Sequence, residues 1–273
     1  MPTAALGASG LFHCKPTENR GPMIASFYDE LAPFYHLLYG DWEAASAQQG
    51  RALAGLLGRH GIGPGAHVLD AACGIGTQTL GLLPYGYQVS ASDISAGAVG
   101  RLNEELAYRG LKAHVRIDDL RTLGEAEDAS ADAVIACDNS VPHLLTDDDL
   151  LQAFRSAHRC LKPGGMLVLS VRDYAAIERQ NPDVRPYGLR YENGDRFLAT
   201  QVWEWDDDTH YDLRVYLTRE SATGDCRTQV LKSRYHAVTI DQLLTLMHGA
   251  GFVDLHRRDD VLFQPVLTAR KPS

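Results

Sequence analysis

The chain has 273 residues, 45% hydrophobic and 22% charged, with 26 Lys and Arg against 35 Asp and Glu for a formal net charge of −9. That profile excludes a disordered chain and is long enough for a sizeable core. The acidic balance, with no Lys/Arg cluster, excludes the basic face that duplex nucleic acid demands.

Residues 1–22 are small and polar, with no charged leader before an apolar run. They are expected to form a flexible arm rather than a signal peptide. No stretch approaches the roughly 20 apolar residues of a membrane span. Cys14, Cys73, Cys137, Cys160 and Cys226 are odd in number and never spaced as CxxC, which speaks against a disulfide framework and a structural zinc site. The expected compartment is the cytoplasm, and no metal is called for. Residues 23–64 carry apolar side chains at helical spacing (Phe27-Tyr28, Phe34-Tyr35, Leu37-Leu38, Leu53, Leu56-Leu57), interrupted by Pro33.

Strands and helices then alternate. His67-Val68-Leu69 is a strand ending at Asp70, with a helix from about Thr77. Gln88 to Ser92 is a strand ending at Asp93, with a helix from Ala96 to Arg109. Ala113 to Ile117 ends at Asp118-Asp119. Ala133 to Cys137 is a fourth strand, Thr146 to Cys160 a capped helix, and Met166 to Val171 a fifth, wholly apolar strand. Residues 174–235 change to period-two alternation with turns at Asp206-Asp207-Asp208 and Thr223-Gly224-Asp225, which reads as antiparallel hairpins. This stretch holds nine of the chain's 22 aromatic residues, enough to wall a site or to pack on itself. A helix (Thr239 to His248) and strands over Phe252 to Arg257 and Val261 to Thr268 complete the fold. The expectation is an α/β, doubly wound, mostly parallel seven-stranded sheet of Rossmann-like type, formed by residues 65–173 and 236–273. The antiparallel β insertion at 174–235 follows its fifth strand.

The segment Asp70-Ala71-Ala72-Cys73-Gly74-Ile75-Gly76 lies where a strand becomes a helix. Glycines there let a ligand approach the backbone, and Asp93, 17 residues beyond Gly76, ends the next strand where a ribose would meet it. A dinucleotide fingerprint wants a small third residue where this chain has Thr79. Asp70 would repel a phosphate but tolerate a sulfonium, and it reads chiefly as a structural or indirect cofactor group, since strand-end carboxylates bond loop N–H groups. Asp118-Asp119 and Leu161-Lys162-Pro163-Gly164-Gly165 complete the pattern. His143 reads equally as a site imidazole or a satisfied buried histidine, and Arg172 as a substrate anchor or a partner of Asp173. Cys73 and Cys137 read as small buried fillers.

With these motifs the sequence resembles the class I S-adenosylmethionine-dependent methyltransferases, and within them the glycine/sarcosine N-methyltransferase branch. The resemblance is carried by Phe27-Tyr-Asp-Glu-Leu-Ala32, Asp41-Trp42, Arg51, Leu69-Asp-Ala-Ala-Cys-Gly-Ile-Gly-Thr77, Asp138-Asn-Ser-Val-Pro-His-Leu-Leu145 and Ser170-Val-Arg-Asp-Tyr174. It implies S-adenosylmethionine as cofactor and S-adenosylhomocysteine as product. Tyr28, Trp42 and Arg51 would cover the methionine end, Ala71, Gly74 and Gly76 would form the contact turn, and Asp93 would hold the ribose. Asp118, Asp119 and Leu120 would flank the adenine, with Cys137 and Asn139 along the cofactor. His143, Asn139 and Tyr28 would sit at the reacting centre, and Arg172, Asn139, His143 and Tyr35 would face the acceptor, Arg172 gripping a carboxylate. The implied reaction is N-methylation of a small amine such as glycine or sarcosine. The alternatives are tailoring of a larger natural product at O, N or S, and a non-catalytic cofactor-binding module. The expected partner is a small-molecule acceptor, with no nucleic acid and no membrane, and a homo-oligomer is compatible with this reading.

Overall fold

The structure, a computed structural model, describes residues 21–273. The arm expected over 1–22 therefore lies outside the described residues, except for its last two, which begin a helix. Helix α1 (Gly21–Leu31) gives way at Pro33 to a 3-10 turn over Ala32–Leu38. Helix α2 (Trp42–Arg59) starts at Asp41, whose side chain accepts the Ala44 N–H at 3.0 Å.

The alternation follows: β1 (His67–Asp70), α3 (Thr77–Leu82), β2 (Gln88–Asp93), α4 (Ala96–Arg109), β3 (His114–Ile117), β4 (Ala131–Ala136), α5 (Asp147–Cys160) and β5 (Leu161–Ser170). The chain then leaves for β6 (Asp183–Glu192), β7 (Asp195–Trp205), β8 (His210–Glu220) and β9 (Cys226–His236). It returns through α6 (Ile240–Gly249), β10 (Val253–Arg258) and β11 (Val266–Arg270). The main sheet runs β10-β11-β5-β4-β1-β2-β3, and β11 is antiparallel to both neighbours. Successive strand residues serve opposite faces: Leu69, Val134 and Leu167 meet Phe154 and Leu243, whereas Val68, Ile135 and Val168 meet Leu53, Leu56 and Leu57. Strand β1 lies between β2 and β4, so the order reverses there and a crevice opens at the strands' carboxyl ends.

The insertion is a four-stranded antiparallel sheet, β6-β7-β8-β9. Its first turn is Asn193-Gly194, both at positive φ, a tight-hairpin signal not singled out in the sequence. Trp203, Tyr211, Leu213 and Tyr235 on its inner face pack with Phe27 and Leu31 of α1 and with Tyr174. The insertion thus has a core of its own, shared with the N-terminal helix.

Helix α3 starts at Thr77 as expected and is only six residues long because Pro84 and Gly86 close it. Two strand boundaries differ from expectation. Strand β5 starts at Leu161, through a register shift against β4. Strand β11 starts at Val266, leaving Val261–Phe263 in a loop. Among the described residues, no helix is long and apolar enough to cross a membrane.

Candidate active site

Beyond β1 the chain turns through Ala71–Gly76. Gly74 and Gly76 have φ of +51° and +97°, and a Cβ on Gly76 would lie 2.3 Å from Leu102 Cδ1 of α4, so the turn packs directly on that helix. The turn is tied to the end of β2: Gly74 N–H donates to Asp93 Oδ2 at 2.9 Å and Cys73 N–H to the Ser92 carbonyl at 3.0 Å. Asp93 Oδ1 accepts the Ser95 N–H at 3.0 Å. Burial pushes the Asp93 carboxyl up, opposed by these backbone hydrogen bonds. A carboxylate offers about four lone-pair sites, so roughly two are left for a ligand.

Above the turn lies a cavity of about 570 Å³. Tyr28, Tyr35, Ala71, Gly74, Asp93, Asp119, Leu120, Cys137 and His143 all line it, which brings most of the expected site residues together. Helix α1 is held over it because Asp29 Oδ1 accepts from Ser95 Oγ at 2.6 Å and Gly97 N–H at 2.8 Å.

Several expected residues stand elsewhere. Trp42 is buried behind the turn and donates to Thr77 Oγ1 at 2.9 Å, and Arg51 is exposed on α2. Asp118 turns its carboxylate to the N–H groups of Asp119, Gly124 and Glu125, so it shapes the loop that presents Asp119. Gly76 supports α4 rather than the cavity wall. Asn139 is buried, accepting the Arg172 N–H at 2.9 Å and donating to the Tyr174 hydroxyl at 2.8 Å. Asp70 is fully buried, accepts from Thr79 Oγ1 at 2.7 Å, and is pushed by burial up to about 7. Asp70 therefore acts as the structural carboxylate that a strand-end position suggests rather than screening ligands by charge: it faces protein, not the cavity.

His143 joins Tyr28 and Ser233. The Tyr28 hydroxyl lies 2.7 Å from Nε2 and Ser233 Oγ 3.3 Å from Nδ1. Burial, then the nearby Arg172 charge, lowers its pKa to about 3, so the imidazole is neutral.

A second cavity of about 640 Å³ adjoins the first, and among the described residues the two share only Tyr35 and Asp138 in their walls. Arg172 lines it, with its guanidinium 5.2 Å from the Trp203 ring centroid and no ion pair among the described residues; Asp173 pairs instead with Arg257 at 2.8 Å. Tyr39, Gln49, Tyr187 and the loop Asp259–Gln264 complete its wall. Asp138, Tyr39, Gln78 and Tyr187 were not identified from sequence as site residues. For Asp138 the available signal was its place directly after the fourth strand, at the edge where ligands bind.

Residues 68–165 match the profile of a methyltransferase domain family. The chain is 29% identical over 164 residues to "Putative methyltransferase YqeM" of Bacillus subtilis, spanning 59% of this chain and 58% of that protein. It is 28% identical over 225 residues to a glycine/sarcosine N-methyltransferase of Aphanothece halophytica, spanning 79% and 76%. Among solved structures it is similar to CalS10 with bound S-adenosylmethionine, an amino pentose methyltransferase from Micromonospora echinaspora. That match has a TM-score of 0.69 at 16% identity and covers 95% of this chain and all of the other.

The fold is that of the class I S-adenosylmethionine-dependent methyltransferases. The expected mostly parallel seven-stranded sheet and the resemblance to the glycine/sarcosine branch both stand. The matched segment contains the glycine turn, Asp93 and Asp138, so it supplies much of the first cavity's wall, whereas the second cavity takes only Asp138 from it among the described residues.

Proposed function

We propose that the chain is an S-adenosylmethionine-dependent N-methyltransferase whose acceptor is a small amine carrying an acidic group, of the glycine and sarcosine type. One observation carries this reading: a cavity over the glycine turn and Asp93 adjoins a second that holds Arg172, which has no ion-pair partner among the described residues. The first cavity fits the cofactor. Asp93 keeps lone pairs for ribose hydroxyls, Asp119 and Leu120 flank the adenine, and Tyr28, Tyr35 and Ala71 stand against the remainder.

When bound, S-adenosylmethionine supplies an electrophilic methyl group on a sulfonium. The protein's share is placement and exclusion of water. Arg172 is permanently charged and its planar fork matches a carboxylate, so it orients the acceptor in the second cavity. Asn139 fixes that arginine by taking its backbone N–H, and Tyr174 fixes Asn139. Tyr28 and neutral His143 form a hydrogen-bonded wall beside the junction without adding charge. Cofactor turnover across glycine, sarcosine, dimethylglycine and a panel of bulky thiols, amines and phenols tests the reading; turnover only with acceptors lacking an acidic group overturns it.

A second reading, a larger natural-product amine, is favoured by the second cavity itself. Its 640 Å³ lies in the range of drug-sized ligand sites, and Val261, Leu262 and exposed Phe263 give it an apolar rim.

A further inference from the structure

Asp138 occupies an unusual position. It and Asn139 follow β4 with φ of +56° and +65°, two successive non-glycine residues in the left-handed region, a conformation that persists only where its surroundings over-determine it. Here the surroundings come from the end of β5: Asp138 N–H donates to Ser170 Oγ at 2.7 Å and Asn139 N–H to the Ser170 carbonyl at 2.9 Å. The kink puts the Asp138 carboxylate in the wall common to both cavities.

Its two oxygens are treated unequally. Oδ2 accepts from the Tyr39 hydroxyl at 2.9 Å and from Gln78 Nε2 at 3.0 Å, and Gln78 is braced in turn by Gln49 at 2.8 Å. Oδ1 is buried and has no partner among the described residues. A buried carboxylate oxygen without a donor is costly. Arg172 is near enough for its charge to be felt but makes no ion pair with it among the described residues. Burial holds the carboxyl above the usual carboxylate range while hydrogen bonding from Gln78, Tyr39 and Gln49 and the charge of Arg172 pull it down. A polar oxygen kept donor-free where two ligand cavities meet is suited to a donor carried by a ligand.

We propose that Asp138 selects an amine as the acceptor: Oδ1 receives an N–H of the acceptor's amino group at the junction and aims that nitrogen toward the cofactor cavity. This rests on the methyltransferase reading but not on the acceptor's having an acidic group. Arg172 would grip one end of the acceptor, and Asp138 marks the end that reacts. A neutral primary amine offers two N–H donors and keeps a lone pair for the methyl group, whereas a hydroxyl that gives its one O–H to the carboxylate has no second donor.

The test uses the full chain saturated with S-adenosylhomocysteine and paired probes differing in one group: glycine against glycolate, and glucosamine against glucose. Binding is read by calorimetry in the wild type, Asp138→Asn and Asp138→Gly, the last chosen because glycine accepts the positive φ at this position. The expected result is that the wild type prefers the amine in at least one pair. Both variants should then lose about tenfold to a hundredfold in amine affinity, while the hydroxyl partner and S-adenosylhomocysteine bind as before. A wild type with no amine preference in either pair overturns the proposal. So does a preference that both variants keep, or a loss of S-adenosylhomocysteine affinity, which would assign Asp138 to the cofactor's amino group. An Asp138-dependent preference seen only with glucosamine upholds the proposal while removing the acidic-acceptor reading.

Discussion

Replacing Asp93 by Ala tests the cofactor cavity most directly. Its carboxylate has about four lone-pair sites, and the Gly74 and Ser95 N–H groups use two. Two remain for the two ribose hydroxyls, each hydrogen bond to a charged group contributing about 1.5–3 kcal/mol. Their joint loss amounts to about 3–6 kcal/mol, or roughly a hundredfold to ten-thousandfold weaker S-adenosylhomocysteine binding. The same change frees two backbone donors of the turn and should lower the melting temperature, so affinity alone would confuse a ribose contact with a loosened loop. Calorimetry with adenosine and 2′-deoxyadenosine separates them: if Asp93 holds the ribose, the mutation should weaken adenosine more than its deoxy counterpart. An S-adenosylhomocysteine affinity within twofold of wild type, or equal losses for the two nucleosides, would refute the assignment.

Arg172→Lys keeps the charge but loses the fork. With an acidic acceptor, kcat/KM should fall about tenfold to a hundredfold, or 1.4–2.8 kcal/mol, with cofactor affinity intact. Tyr28→Phe removes the 2.7 Å bond and leaves His143 Nε2 buried without its partner; chemical denaturation should show a loss of about 1–3 kcal/mol. His143, held neutral with a pKa near 3, contributes stability that is present above about pH 6.5 and is lost as the pH falls toward 3, so His143→Gln should flatten the acid limb of a stability–pH curve. Asp70 has the opposite sign. Raised to about 7, it contributes stability that is full below about pH 4 and lost as the pH rises through 7, so Asp70→Asn, which keeps an acceptor for Thr79, should be more stable than wild type at pH 9.

The features legible in the sequence are those written in contiguous segments. Apolar strands ending in Asp70 and Asp93, and glycines at 74 and 76, disclose the sheet, the crevice and much of the first cavity. The resemblance added Tyr28 and Tyr35, which do line it, but also Trp42 and Arg51, which do not. Whether a helix residue faces the crevice depends on how α2 packs on α3, and there a Cβ on Gly50 would fall 2.0 Å from the Gly81 carbonyl oxygen. That contact joins residues 31 apart and has no local signature. The second cavity was hidden for the same reason: its wall is assembled from the N-terminal segment, Arg172, Tyr187 and the loop before β11. Asp138 was visible as a residue but not as a geometry, because its left-handed backbone is stabilised by Ser170 on the neighbouring strand.

Among the described residues the two cavities share only Tyr35 and Asp138, and their exposed lining residues differ. Thr146 and Asp207 border one, while Asp259, Asp260 and Phe263 border the other. If cofactor and acceptor occupy the two cavities as proposed, each would have its own door, and neither occupant would block the other's exit. A site with one shared entrance imposes a compulsory order of binding, whereas this plan allows random-order traffic. Its kinetic counterpart is a dead-end complex in which S-adenosylhomocysteine and a fresh acceptor occupy the protein together.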